Sequence, residues 1–374
     1  MTNKPADTQP YYPLREIYFY LTGDCNLRCR HCWIEPHFLL ADKSSSYLDK
    51  SLFADIIAQA EPLGLSGVKL TGGEPLFHPQ IKDLIAVVRK EGLRLIVETN
   101  GTLCSLEIAE HIASVGNTFV SVSLDAADPD IHEWIRGKTG CFAEAVAGVK
   151  NLVRAGLRPQ IIMTVMRRNK DQIEPIVRMA ESLGAGSVKF NILQPTARGA
   201  RMFAAGETVD IAELISLGRW VEEELSKSTL LRLYYDQPLA FRSLRGMFNP
   251  KTGNGCQTCG IFRILGVLAD GSYALCGIGE TVPELVFGNA RHDSLKDVWE
   301  NSAVLNDIRT GLPAKLKGIC AECLLKNVCL GSCIAQNYYS SHDLWAPHWY
   351  CEESYNRGLF PTSRLRQQKN PPPR

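Results

Sequence analysis

From residue 17 to about residue 235, short runs of β-branched and aromatic residues alternate with longer stretches whose apolar positions recur every three to four residues. The short runs predict strands over 17–22, 68–71, 93–98, 119–124, 160–166 and 187–193, because such side chains pack well on a pleated, half-buried surface. The stretches between them, such as SLFADIIAQAEPL after Lys50, IKDLIAVVRKEG after Gln80 and CFAEAVAGVKNLVRAG from Cys141, carry helical periodicity. Six such units in succession predict an α/β architecture, a parallel sheet curled by its crossovers into a full or partial barrel.

After Pro238 the rhythm stops. The stretch 249–257 (NPKTGNGCQ) is rich in turn-formers, and beyond it FRILGVLADGSYALC predicts a hairpin with Asp270 and Gly271 at its turn. These shifts divide the chain into an N-terminal extension (1–16), a βα core (17–245), a smaller cysteine-rich domain (246–360) and a basic, proline-rich tail (361–374), solvated from Arg364 onward.

Composition narrows the function. Of 374 residues, 45% are hydrophobic and 22% charged, as in ordinary globular proteins, and a net charge of +1 leaves no electrostatic footprint for nucleic acid. The N-terminus lacks the apolar core of a signal peptide, and no run of 18 apolar residues occurs, which predicts a cytoplasmic protein without a membrane partner. In a reducing compartment thirteen cysteines at short spacings read as metal ligands rather than disulfides.

GDCNLRCRHCW places Cys25, Cys29 and Cys32 at C-x3-C-x2-C spacing on a loop after the first strand. Three local thiolates on a 4Fe-4S cluster leave one iron open to an exchangeable ligand. A structural zinc site completed by His31 or a distant ligand is the alternative. TGGEP (71–75) closes the second strand, at the end of the sheet where parallel α/β folds bind ligands. Gly72 and Gly73 permit close backbone approach, and Glu74 offers a carboxylate to a cation such as an ammonium group.

Together the triad and the GGEP turn resemble the radical S-adenosylmethionine (SAM) superfamily, across 17 to about 235. The resemblance implies a partial (β/α)6 barrel, in keeping with the six units. It also implies that Cys25, Cys29 and Cys32 hold a cluster whose open iron chelates SAM. His31 would lie beside the adenine, and Gly72, Gly73 and Glu74 would meet the methionine amino group. SVSLDA (121–126) resembles the family's ribose and carboxylate contacts and points to Ser123 and Asp125, with Arg136 of HEWIRGKTG a further contact for the SAM carboxylate. Asn100 is read as closing a turn with Gly101.

Beyond the core, Cys259, Gly271-x4-Cys276, Cys320-x2-Cys323-x5-Cys329-x3-Cys333 and Cys351 resemble the SPASM domain of peptide-modifying radical SAM enzymes, and Cys256 adds an eighth thiol. The resemblance implies two auxiliary 4Fe-4S clusters, one on Cys256, Cys259, Cys276 and Cys333, the other on Cys320, Cys323, Cys329 and Cys351, hence three clusters in all. Two four-cysteine zinc sites are the alternative. Cys104 and Cys141 read as small buried apolar residues, and His78, His111, His132, His292, His342 and His348 as ordinary polar positions.

The activity this implies is reductive cleavage of SAM to a 5′-deoxyadenosyl radical that takes hydrogen from a peptide or protein substrate, with a low-potential donor (flavodoxin or ferredoxin) as electron source. Sulfatase maturases carry an aspartate directly after the cysteine of the Gly-x4-Cys element; this chain has Gly277. Only about sixteen residues precede the first strand, so leader recognition would fall to the C-terminal region or a separate protein. Modification of a tetrapyrrole side chain is the alternative reaction, and a non-enzymatic iron-sulfur carrier a further one. The substrate and the residue that handles a proton are not legible.

Overall fold

The computed structural model describes residues 12–38, 46–244, 247 and 259–366. Among them are twelve strands: β1 (Glu16–Tyr20), β2 (Asp24–Cys25), β3 (His37–Phe38), β4 (Gly67–Thr71), β5 (Arg94–Thr99), β6 (Thr118–Ser123), β7 (Gln160–Val165), β8 (Ser187–Ile192), β9 (Arg232–Tyr235), β10 (Ile264–Val267), β11 (Ser272–Ala274) and β12 (Val286–Asn289). Ten form one sheet in the order β12-β11-β10-β1-β4-β5-β6-β7-β8-β9, while β2 and β3 pair separately. From β10 to β9 every neighbouring pair is parallel; β11 and β12 turn antiparallel at one edge.

The six expected strands are β1 and β4 to β8, each within two residues of its expected bounds. Two further parallel strands extend the run. β9 gives little sequence signal because RLYY is only four residues long. β10 is the first arm of the expected hairpin, with Gly271 at φ +89° in its turn. It also pairs in parallel with β1, Ile17 opposite Leu265, so one sheet runs unbroken from the βα core into the cysteine-rich region. No local signal announces a pairing between residues so distant in sequence.

Each strand splits its side chains by the period of two. Ile17, Phe19, Val68, Leu70, Leu95, Val97, Val188 and Phe190 are buried in the core. There they meet amphipathic helices such as Ile81–Lys90, whose Ile81, Leu84, Ile85 and Val88 are buried. Full burial of such side chains stabilises by about 1.5–3 kcal/mol each. The helix Lys50–Ala60 starts where Asp49 accepts from the Ser51 and Leu52 N–H groups, and Pro129–Arg136 starts where Asp128 accepts from Ile131 N–H. The intervening strand positions face inward: Tyr18 of β1, Ile96 of β5 and Lys189 of β8 line one cavity of about 700 Å³. Strands so far apart in the sheet share a cavity because the sheet is curled into an open barrel. Arg364 to Arg366, the start of the basic tail, is fastened: the Arg364 guanidinium donates to Ala240 O and Arg242 O, and Arg366 N–H to Glu322 O.

Candidate active site and cluster sites

The cysteine triad is placed by the exit of β4. Gly73 N–H donates to Thr22 O at 2.9 Å and Glu74 N–H to Asp24 O at 3.0 Å. A Cβ on Gly73 would stand 1.8 Å from Asp24 O, and one on Gly72, which sits at φ +131°, 2.8 Å from Thr22 O. Both glycines are therefore required by the chain's own backbone just before Cys25. Glu74 is buried with both oxygens engaged: Oε1 accepts from Thr99 Oγ1 at 2.6 Å and Leu76 N–H at 3.1 Å, and Oε2 from Asn100 N–H at 2.7 Å. Burial pushes its carboxyl up to about 7 against those three hydrogen bonds. Oε2, which accepts from Asn100 N–H alone, keeps an acceptor position for a further donor. Asn100 does close the turn with Gly101, and it also donates to Asn26 Oδ1 at 2.8 Å, tying β5 to the triad loop.

Cys25 and Cys29 are buried in one cluster with Leu27 and Cys141, and Cys32 packs against it. Burial pushes the Cys25 and Cys29 thiols up, and each also feels Cys32. Buried thiols in mutual range become thiolates only beside a cation or a metal, so this donor set fits an iron-sulfur cluster. Arg136 Nη1 donates to Cys29 Sγ at 3.7 Å, and Arg136 Nε forms an ion pair with Asp125 Oδ2 at 2.7 Å. Although burial opposes charge on both, each holds the other ionised: Asp125 is pulled down and Arg136 up.

Asp125 is fully buried and further fixed by Thr164 N–H and Asn169 Nδ2, while His132 Nδ1 accepts from its N–H at 3.2 Å. His31 Nε2 stands 3.8 Å from Asp125 Oδ2, and burial lowers its pKa to about 4, so the ring is neutral. Ser123, the last residue of β6, is half-buried one residue short of this group's strand exit. His31, Asp125 and Arg136 are thus brought together against the triad. His132, read from sequence as an ordinary polar residue, is a buried member of the same network.

The C-terminal cysteines separate into two groups. Cys320, Cys323, Cys329 and Cys351 line one small cavity of about 20 Å³. Burial raises their thiols, Cys320 to about 11. Cys259, Cys276 and Cys333 form the second group; burial pushes Cys259 up to about 12, and each of Cys259 and Cys276 also feels Cys333. Cys256 lies outside the described residues. Cys259, Cys329 and Cys333 line the 700 Å³ cavity, and Cys259 is exposed. Cys104 and Cys141 are buried, as expected, with thiols pushed up to about 12. His348 likewise departs from the expectation of an ordinary polar position: it is buried on the cavity wall, its Nδ1 unpaired and its pKa lowered by burial to about 4.

Residues 19–180 match the radical SAM superfamily, and residues 256–324 match an iron-sulfur cluster-binding domain, SPASM. AdoMet-dependent heme synthase of Methanosarcina barkeri is 30% identical over 94% of this chain and 97% of its own length. PqqA peptide cyclase of Methylocella silvestris is 25% identical over 89% of this chain and 86% of its own length. Among solved structures, Streptococcus suis SuiB bound to S-adenosylmethionine covers 91% of this chain and 78% of its own, with TM-score 0.71 at 18% identity, a likeness of fold. The chain belongs to the radical SAM superfamily and carries a SPASM domain. It is an enzyme that uses SAM and iron-sulfur clusters. Among the described residues no helix is long and apolar enough to cross a membrane.

Proposed function

We propose that this enzyme modifies a side chain of a tetrapyrrole-type cofactor precursor. The observation that carries the reading is the cavity on the concave face of the sheet, about 700 Å³, bounded by Tyr18, Lys189, Gln194, His348 and Trp349. That volume lies within the roughly 300–1,000 Å³ of small-molecule sites, and its mix of aromatic and charged walls suits a flat macrocycle with ionised substituents. The near full-length relationship to a heme synthase supports the same reading. Peptide or protein modification is the second reading, favoured by the relationship to PqqA peptide cyclase; it would add a separate leader-recognition protein as partner.

In either case Cys25, Cys29 and Cys32 hold the SAM-binding cluster, and the two C-terminal groups, that of Cys259, Cys276 and Cys333 completed by Cys256, hold two auxiliary clusters. When bound, SAM and the reduced cluster together supply a 5′-deoxyadenosyl radical that takes a hydrogen atom from substrate. The chain's own residues orient and enclose. Arg136, balanced by Asp125, presents a guanidinium beside Cys29 to the SAM carboxylate; neutral His31 packs by the adenine; Ser123 meets the ribose. Gly72, Gly73 and Glu74 meet the methionine amino group, the glycines through backbone and Glu74 through the acceptor position that Oε2 keeps beside Asn100 N–H. Residues 17–245 form the SAM-cleaving core and 246–360 the auxiliary domain, between the extension 1–16 and the tail 361–374. A cytoplasmic flavodoxin or ferredoxin supplies electrons.

The test is anaerobic turnover of the reconstituted enzyme with SAM, dithionite and a propionate-bearing iron porphyrin. Porphyrin-dependent 5′-deoxyadenosine and a changed porphyrin mass are expected. Deoxyadenosine formation indifferent to the porphyrin but stimulated by a peptide that is itself modified would transfer the assignment to the second reading.

A further inference from the structure

The turn after β8 carries a positive charge that nothing described balances. Gln194, Thr196 and Arg198 lie on this turn and the start of the helix Ala197–Ala204, and all have buried polar atoms without partners: Gln194 Oε1, Thr196 Oγ1, and Arg198 Nε and Nη2. Thr196 is fully buried. Across from them His31 Nδ1 is likewise unpaired. Buried donors left unpaired cost free energy, and a guanidinium costs more than a neutral group. Arg136 has Asp125 and Arg201 has Glu35 at 2.8 Å, whereas Arg198 has no ion pair among the described residues.

The backbone fixes where this cation stands. Arg198 N–H donates to Cys32 O at 3.1 Å, docking the turn on the triad loop. Gly199 packs so closely that a Cβ there would lie 2.2 Å from Gln194 O and 3.5 Å from His31 O. Ala197 is held at φ +47°, a conformation costly for a residue with a side chain. Gln194 in turn lines the large cavity. Arg198 therefore stands against the SAM-binding loop, on the turn whose Gln194 opens on the cavity, and its positive charge is felt by His31 together with that of Arg136.

Resting on the tetrapyrrole reading above, we infer that Arg198 binds a carboxylate of the substrate, holding it at the end of the cavity nearest the Cys25–Cys32 loop. A carboxylate answers the orphaned donors best: it accepts two parallel hydrogen bonds from the Nε and Nη2 edge of the guanidinium and one from the Thr196 hydroxyl. SAM's single carboxylate has Arg136 beside Cys29, which leaves Arg198 for the substrate. The substrate group set next to the radical is thereby one attached to, or neighbouring, an ionised acid.

The experiment is equilibrium binding of a dipropionate iron porphyrin and of its dimethyl ester, followed by absorbance, to reconstituted wild type, Arg198→Met and Arg198→Lys. SAM affinity is measured on the same samples. Arg198→Met should bind the diacid roughly tenfold to a hundredfold more weakly, the loss of a charged hydrogen-bond pair. Its SAM and diester affinities should match wild type, and Arg198→Lys should recover only part of the loss because an ammonium lacks the fork. Equal diacid affinity in wild type and Arg198→Met, equal losses for diacid and diester, or lost SAM binding would each overturn the inference. Wild type that binds neither porphyrin would instead sink the tetrapyrrole reading, and this inference with it.

Discussion

The phenol of Tyr20 lies against the backbone of Gly277, so that a Cβ on Gly277 would fall 2.3 Å from Tyr20 Cε1 and 2.6 Å from its hydroxyl oxygen. Tyr20 ends β1 in the SAM-binding half, whereas Gly277 follows Cys276 among the auxiliary ligands. The two halves meet through a glycine that has no room to be anything else.

Gly277→Ala should therefore destabilise the protein by about 1–3 kcal/mol, and Gly277→Asp by more, since overpacking a rigid contact forces both sides apart. Tyr20→Leu should suppress most of the penalty of Gly277→Ala in a double-mutant cycle followed by urea unfolding. Additive effects would show that the clash is relieved elsewhere. The aspartate that sulfatase maturases carry at this position has no place here while Tyr20 fills the space.

Glu74 predicts a pH dependence. Its folded-state pKa is raised to about 7 from the ordinary 4.5, so the folded cluster-free protein binds this proton more tightly than the unfolded chain does. The stability from this group is complete below about 4.5 and is lost as pH rises through about 7. Thermal melts of the cluster-free protein between pH 5 and 8 should thus fall more steeply in wild type than in Glu74→Gln. Parallel curves would mean that the buried carboxyl is not protonated in this range.

Reconstitution tests the donor sets by metal content. Three clusters predict roughly twelve irons per chain, from four per cluster. Replacing Cys25, Cys29 and Cys32 together by alanine should remove about a third of them and abolish 5′-deoxyadenosine formation under dithionite. Stoichiometric zinc with only about four irons would overturn the auxiliary assignment and spare the SAM site.

The sequence announces what repeats or clusters locally. The period of two in the strand runs and the spacing of Cys25, Cys29 and Cys32 led directly to β1, β4 to β8 and the triad loop. What it hides is carried by distant backbone contacts. The parallel pairing of Ile17 with Leu265 gives no local pattern, and neither does the docking of Arg198 on Cys32. GGEP drew attention as a ligand turn, but its glycines are also demanded by Thr22 and Asp24, a constraint visible only once the strands are adjacent. His132 and His348 lacked metal-ligand spacing and so looked ordinary, although burial makes one part of the Asp125 network and the other part of the cavity wall.

Cys351 offers the sharpest separation of SAM cleavage from product formation. It is buried in the helix Trp349–Asn356 and shares its small cavity with Cys320, Cys323 and Cys329, none of them in a strand of the ten-stranded sheet. Its thiol feels those three cysteines and no residue of the Cys25–Cys32 loop. Cys351→Ala should lower the iron content of the C-terminal region while leaving SAM affinity and 5′-deoxyadenosine formation near wild type. Where this group holds the acceptor for the electron left by substrate oxidation, modified substrate should fall to a small fraction of the deoxyadenosine made. A purely structural site predicts a different pattern, since metal binding there is coupled to folding: the melting temperature would drop, and both products would fall together. Deoxyadenosine, modified substrate, iron and thermal stability are therefore measured on one preparation. A well-folded variant lacking that iron yet giving unchanged product would refute an electron-accepting role for this group of cysteines.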